Sequence, residues 1–96
     1  MTAVKLSDEA IQGKLADLSD WSVANDALVK TFSFEDFVQS MQFVNRLGVA
    51  AEAAQHHPDI DIRYSKVTVM LSTHDSGGIT EKDFAIAQEA DAVAER

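Results

Sequence analysis

The chain predicts a two-layer α+β domain, ordered αββαββα, with a four-stranded antiparallel sheet and three helices on one face. Two observations carry this. Apolar residues recur every three or four positions in three segments and every second position in four others, which is how helices and strands respectively bury one face. The extended segments come as two consecutive pairs, so each pair folds back as a hairpin and leaves the helices to cover one side of the sheet. No Pro/Gly/Ser-rich linker, low-complexity tract or internal repeat divides the 96 residues, which makes them one cooperative unit.

Each element has its own justification. Ser7 is an N-cap, Leu6 and Ile11 stand at the spacing of a hydrophobic staple, and Ile11, Leu15 and Leu18 continue at helical intervals. Trp21–Ala24 and Leu28–Phe34 are β-rich runs on either side of Asn25-Asp26-Ala27, whose Asn and Asp favour a tight reversal. From Ser33 or Phe34 the period changes, and Phe37, Met41, Val44, Leu47, Ala51 and Ala54 mark a long central helix. Its apolar arc also takes in Val38 and Val49, too wide for one sheet face to cover, so the helix is expected to pack against a second subunit. It must end near His57, because Pro58 pushes the preceding residue out of the α region. Ile60, Ile62 and Tyr64 then alternate with Asp59, Asp61 and Arg63, and after Ser65-Lys66 the run from Val67 to His74 alternates again. Asp75–Gly78 is a loop. Thr80, three residues before Asp83, has the spacing of a capping box and opens a last helix through Phe84, Ala87, Ala90 and Val93.

Composition removes whole classes of function. With 46% hydrophobic and 25% charged residues the chain is an ordinary folded globule. Eight Lys and Arg against 16 Asp and Glu give a formal charge of −8, the wrong sign for a surface that replaces counterions along a nucleic-acid backbone. Direct DNA or RNA binding is not expected, and any part in transcription would pass through a protein partner. The absence of cysteine excludes disulfides, a thiolate nucleophile and Cys-based zinc sites. Met1 to Leu18 lacks the apolar stretch of a signal peptide, and no run approaches the roughly 20 apolar residues that cross a bilayer, so the expected location is the cytoplasm, with no membrane partner.

The chemistry gathers where the central helix hands over to the third strand. Glu52 and His56, four residues apart, share a helical face, where the carboxylate can orient the imidazole. His57 must point elsewhere, Pro58 fixes the exit, and His74 ends the strand that pairs with the one leaving Pro58, so all three histidines can meet. Imidazole exchanges a proton near neutral pH, and a cluster of them in a cleft serves general acid–base catalysis. Two plainer readings stand beside this one. Adjacent histidines at a helix C-terminus also favour the macrodipole. Glu52, His56 and His74 could supply three metal ligands, although His-His lacks the one-face spacing of His-x-x-x-His. Ser72 and Ser76 lie near His74 without a Gly-x-Ser-x-Gly elbow, and Gly77-Gly78 matches no phosphate-binding loop.

These residues resemble the pterin-4a-carbinolamine dehydratases, a family also called the dimerisation cofactor of a hepatocyte nuclear factor. The family pattern reads here as Glu52-Ala-Ala-Gln-His56-His57-Pro58, then Tyr64, then Ser72-Thr73-His74, then Asp83, with every fixed position filled. Trp21 opening the first strand and the Gly-Ile-Thr-Glu-Lys-Asp run before the last helix also look like the family, so the resemblance spans nearly the whole chain.

The resemblance implies an enzyme, a carbon–oxygen lyase that dehydrates 4a-hydroxytetrahydrobiopterin to quinonoid dihydropterin and water. The reaction recycles the pterin of aromatic amino acid hydroxylases and needs no metal or redox cofactor. By similarity His56 and His74 form the acid–base pair and His57 binds and orients the substrate. Glu52 would hydrogen-bond or polarise that group, Asp83 would hold an imidazole, and backbone around His57 and Thr73 would grip the flat pterin. Pro58 and Trp21 complete the expected substrate-binding set, Trp21 as a pocket wall. The expected assembly is a homodimer or homotetramer through the central helix and sheet edges. Two alternatives are a non-catalytic dimerisation or assembly cofactor that binds a protein partner, and a metal-dependent hydrolase.

Overall fold

A computed structural model describes residues 3–95. Met1 and Thr2, at the start of the amphipathic amino-terminal stretch, lie outside the described residues. Helix α1 (Asp8–Leu15) starts where Ser7 Oγ accepts a hydrogen bond from the Ala10 N–H at 3.1 Å, and Asp8 and Glu9 place negative charge at its positive end. Ile11 is buried, with Leu6 and Leu15 packed against the core around it.

Strands β1 (Ser22–Ala24) and β2 (Ala27–Ser33) form the first hairpin. Asn25 and Asp26 make its two-residue turn with φ of +53° and +61°, the left-handed pair that matches strand twist and that Asn and Asp tolerate best. Strands β3 (Asp59–Arg63) and β4 (Lys66–Leu71) form the second hairpin, around Tyr64 and Ser65. Tyr64, expected as a strand residue, sits in that turn with φ +52°, while Lys66, expected in the turn, pairs with Arg63. The sheet is antiparallel throughout, in the order β1-β2-β4-β3. Leu28, Phe32, Val67, Val69 and Leu71 point from it into the helical layer.

Helix α2 (Phe37–Ala54) is capped by Asp36, whose Oδ1 accepts from the Gln39 N–H at 2.9 Å. Its buried row is Ser40, Phe43, Leu47 and Ala51, rotated from the expected stripe, so that Phe37 is 48% exposed while Phe43 is only 1% exposed. The polar member explains the shift. Ser40 Oγ donates to the Tyr64 carbonyl at 2.7 Å and so tethers α2 to the second hairpin with a hydroxyl that no apolar pattern reveals. The helix stops at Ala54 because Gln55 turns left-handed at φ +54°, ahead of the restriction imposed by Pro58.

Beyond Leu71 the chain leaves the sheet, since β2 runs out into its turn and Thr73 pairs instead with Gly78. His74 therefore does not end a strand; it opens a short 3₁₀ turn, His74–Ser76, closed by Gly77 at φ +78°. Leu6 N–H donates to the Ile79 carbonyl at 2.9 Å and Ser76 Oγ to the Ala3 carbonyl, so the amino-terminal segment braces this loop. Helix α3 (Glu81–Ala94) begins with the Thr80–Asp83 capping box and buries Phe84, Ile86, Ala87, Ala90 and Val93.

Candidate active site

The outer turns of this architecture bring the three histidines around one cleft of about 350 Å³, bordered also by Gln55, Ser72, Thr73, Asp75 and Lys82. His56 is the best-held of them. Its Nε2 lies 2.6 Å from Asp83 Oδ1, with its side chain 12% exposed and that of Asp83 fully buried. The other Asp83 oxygen accepts from Thr73 Oγ1 and from the Thr80 N–H, each at 2.9 Å. Because a carboxylate only accepts, the Thr73 hydroxyl proton goes to Asp83, and Thr73 Oγ1 takes its own bond from the Thr80 hydroxyl at 2.8 Å. With Nε2 donating to Asp83, a neutral His56 keeps its lone pair on Nδ1.

Glu52 does not hold His56, although four residues separate them. The left-handed Gln55 ends the helix between them, and Glu52 Oε1 lies 2.6 Å from His57 Nε2 instead. The hydrogen bond from His57, and then its positive charge, hold the Glu52 carboxyl below its ordinary value. Both side chains are exposed, so the pair is open to solvent. His74 is exposed, and its ring makes no hydrogen bond to any described residue.

The remaining expected site residues divide. Pro58 sits at the helix exit, half-buried. Thr73 lines the cleft, but its N–H is committed to the Gly78 carbonyl and its hydroxyl to Asp83, so it braces the site instead of offering a free donor. Trp21 does not line this cleft. It is a core residue, edge-on to Phe32 and bonded through Nε1 to Asp91, about 12 Å along α3 from Asp83 by helical rise. Lys82 is a site residue the sequence reading passed over; its signal was its place beside Asp83 in the capping box. The three residues of the metal reading do not converge: Glu52 turns to His57, His56 to Asp83, and no group of three or more His, Cys, Asp or Glu is arranged to hold a metal among the described residues.

A sequence profile described as "Pterin 4 alpha carbinolamine dehydratase" matches residues 4–93. The chain belongs to that family. Relatives provisionally named pterin-4-alpha-carbinolamine dehydratases include one from Picosynechococcus sp., 48% identical over 85 residues that cover 88% of this chain and 92% of the relative. Another, from Chloroflexus aurantiacus, is 48% identical over 89 residues, 93% of this chain and 96% of the relative. Among solved structures, a transcriptional coactivator/pterin dehydratase from Brucella melitensis superposes with a TM-score of 0.91 at 30% identity, over 94% of this chain and 98% of that one. A pterin dehydratase-like protein identified as a RuBisCO assembly factor in the alpha-carboxysome gives 0.63 at 27% identity, over 77% of this chain and 86% of that one. The family's α+β architecture is the one described above. No helix among the described residues is long and apolar enough to cross a membrane.

Proposed function

We propose that the cleft dehydrates 4a-hydroxytetrahydropterins to quinonoid dihydropterins by histidine acid–base catalysis, returning the oxidised pterin that aromatic amino acid hydroxylases leave behind. The reaction breaks one C–O bond and needs two coordinated proton transfers. Hydroxide is a poor leaving group near neutral pH, so the 4a-hydroxyl takes a proton as it departs; the adjacent ring nitrogen loses its proton as the C=N bond forms. One observation carries the reading: two imidazoles of opposite character border the same space. His56 is clamped by a buried carboxylate and keeps Nδ1 as a base, while His74 is exposed and free to give or take a proton. His57, backed by Glu52, serves substrate binding, and Lys82 adds a cation at the rim. Asp83 and Thr73 act as positioning residues for His56.

The test is ultraviolet monitoring of 4a-hydroxytetrahydropterin decay with wild type, His56→Ala and His74→Ala. Wild type should exceed the spontaneous rate, and each substitution should lower kcat by about 10²–10⁴-fold. Wild type at the spontaneous rate would remove the enzyme reading; substitutions without effect would remove this site.

A second, compatible role in assembly has its own support. Helix α2 leaves Phe37, Val38 and Val49 exposed on a face that no described element covers, and a structural neighbour is described as an assembly factor. That face and the sheet edges β1 and β3 would carry self-association to a dimer or tetramer, or a protein partner.

A further inference from the structure

The loop that carries His74 is braced by a segment of the chain that the proposed mechanism does not use. The His74 ring is exposed and makes no hydrogen bond to any described residue. It borders the histidine cleft and also a second cavity of about 560 Å³, lined by Val29 and Met70 among others, so little packs against it. Its position is therefore set by the backbone of residues 73–78. The base of that loop is pinned where Thr73 pairs with Gly78 and the Thr73 hydroxyl donates to Asp83 at 2.9 Å. Residues 3–6 pin it from the other side. Ser76 Oγ donates to the Ala3 carbonyl, and the Leu6 N–H donates to the Ile79 carbonyl at 2.9 Å, with Leu6 itself packed against the core. Between these two bonds the Lys5 stem crosses Gly78 so closely that a methyl group there would stand 2.9 Å from Lys5 Cε.

We propose that residues 3–6 form a strap that positions the His74 imidazole for proton transfer, and that Ser76 is the positioning residue through which the strap acts. The inference rests on the dehydratase reading and adds to it a residue outside the histidine motif. Proton transfer needs donor and acceptor within hydrogen-bond reach, and a displacement of about 1 Å is enough to cost about 10²-fold in rate. His56 meets that demand through its own bond to buried Asp83. His74 has no such bond, so the loop beneath it must supply the precision, and a short turn that opens locally would carry the imidazole out of reach. The Ser76 hydroxyl stands two residues from His74 in the same 3₁₀ turn, His74–Ser76, which makes it the contact of the strap nearest in sequence to the reacting group. The strap is anchored where Leu6 enters the core and Ser7 caps α1, so it couples the loop to the body of the domain.

The experiment measures kcat and KM for 4a-hydroxytetrahydropterin decay with wild type, Ser76→Ala and Ser76→Thr, and repeats Ser76→Ala in the His74→Ala background. Ser76→Ala should lower kcat about tenfold with KM within about twofold, because the substrate still binds while the imidazole is misplaced. Ser76→Thr keeps the hydroxyl and should restore kcat to within about twofold of wild type. With His74 already gone, Ser76→Ala should cost less than about twofold, since the strap has nothing left to position. Amide hydrogen exchange gives a readout independent of turnover: the Gly77 N–H, which donates to the His74 carbonyl at 3.1 Å, should exchange several-fold faster in Ser76→Ala than in wild type. An unchanged kcat or unchanged Gly77 exchange in Ser76→Ala, a Thr variant as slow as the Ala variant, or equal losses with and without His74 overturns the strap while the dehydratase reading stands. If wild type runs at the spontaneous rate, the dehydratase reading falls and takes the positioning role with it.

Discussion

Asp83 is the residue on which the most depends. Its two oxygens hold His56, the Thr73 hydroxyl and the N–H of Thr80, the N-cap of α3, with Asp83 itself fully buried. Asp83→Asn keeps the shape, but its amide must turn an N–H toward one of those partners. If the carbonyl stays with Thr73 and Thr80, the amide faces His56 Nε2 and drives the imidazole proton to Nδ1, the wrong nitrogen for a base. The expected result is a kcat lower by about 10²-fold or more, with a stability loss of about 1–3 kcal/mol, read by the decay assay and by urea denaturation. An unchanged kcat would contradict the positioning role. Glu52 behaves differently because it is exposed. Its carboxyl titrates below its ordinary value in the folded chain, so the pair with His57 contributes above the usual carboxylate range, and the contribution disappears as pH falls through the lowered pKa. Side-chain NMR should find the Glu52 titration moving up toward the ordinary range in His57→Ala. The spacing of Thr80 and Asp83 made the cap legible in the sequence, whereas the approach of His56 across 27 residues required the fold.

At the scale of the element, α2 shows both the strength and the limit of apolar periodicity. The helix and its approximate length were legible, and Leu47 and Ala51 belong to the buried row as expected, but the residue that ends it is the left-handed Gln55 and not the Pro58 to which the sequence pointed. The row itself is rotated, because its first member is a serine that hydropathy scores as surface and that packing requires as a tether. Two substitutions separate those effects. Phe43→Ala opens a cavity in the core and should cost about 3–5 kcal/mol. Ser40→Ala leaves the Tyr64 carbonyl without its donor and should cost about 1–2 kcal/mol. Both are read by denaturant midpoint. Should Ser40→Ala prove neutral, the tether would carry no stability and the rotation of the helix would need another cause. The misplaced end of the fourth strand has a similar origin: alternation continues to His74 in the sequence, but β2 offers no partner past Leu28, and pairing rather than pattern ends a strand.

For the whole molecule the imbalance lies in what is covered. The helical layer protects one face of the sheet, and a partly buried cation there is answered locally: Lys30 Nζ lies 2.7 Å from Asp91 and 4.7 Å from the Phe32 ring centre. The outer face of α2 has no such answer, with Val38 63% and Val49 73% exposed. Sedimentation at micromolar concentration should find a dimer or tetramer, and Val38→Lys/Val49→Lys should shift it toward monomer. A wild-type monomer would refute self-association. The exposed valines themselves were legible in the sequence, since the breadth of the apolar arc had already marked Val38 and Val49. The cavity of about 560 Å³ over Ala24, Ala27, Val29 and Met70 was hidden, because it is defined by alanines and by cross-strand register, and neither leaves a mark in a one-dimensional pattern.

The sharing of one carboxylate between the start of α3 and His56 has an evolutionary consequence. A lineage that abandoned catalysis for scaffolding would still be selected to keep Asp83 and Thr80, because the last helix begins there. His74 makes no side-chain hydrogen bond to any described residue, so under the proposed mechanism it would be released once proton transfer no longer mattered. Under the proposed mechanism, the histidine at that position would therefore be a better witness to enzymatic activity than the aspartate, which the start of the helix would retain in either case.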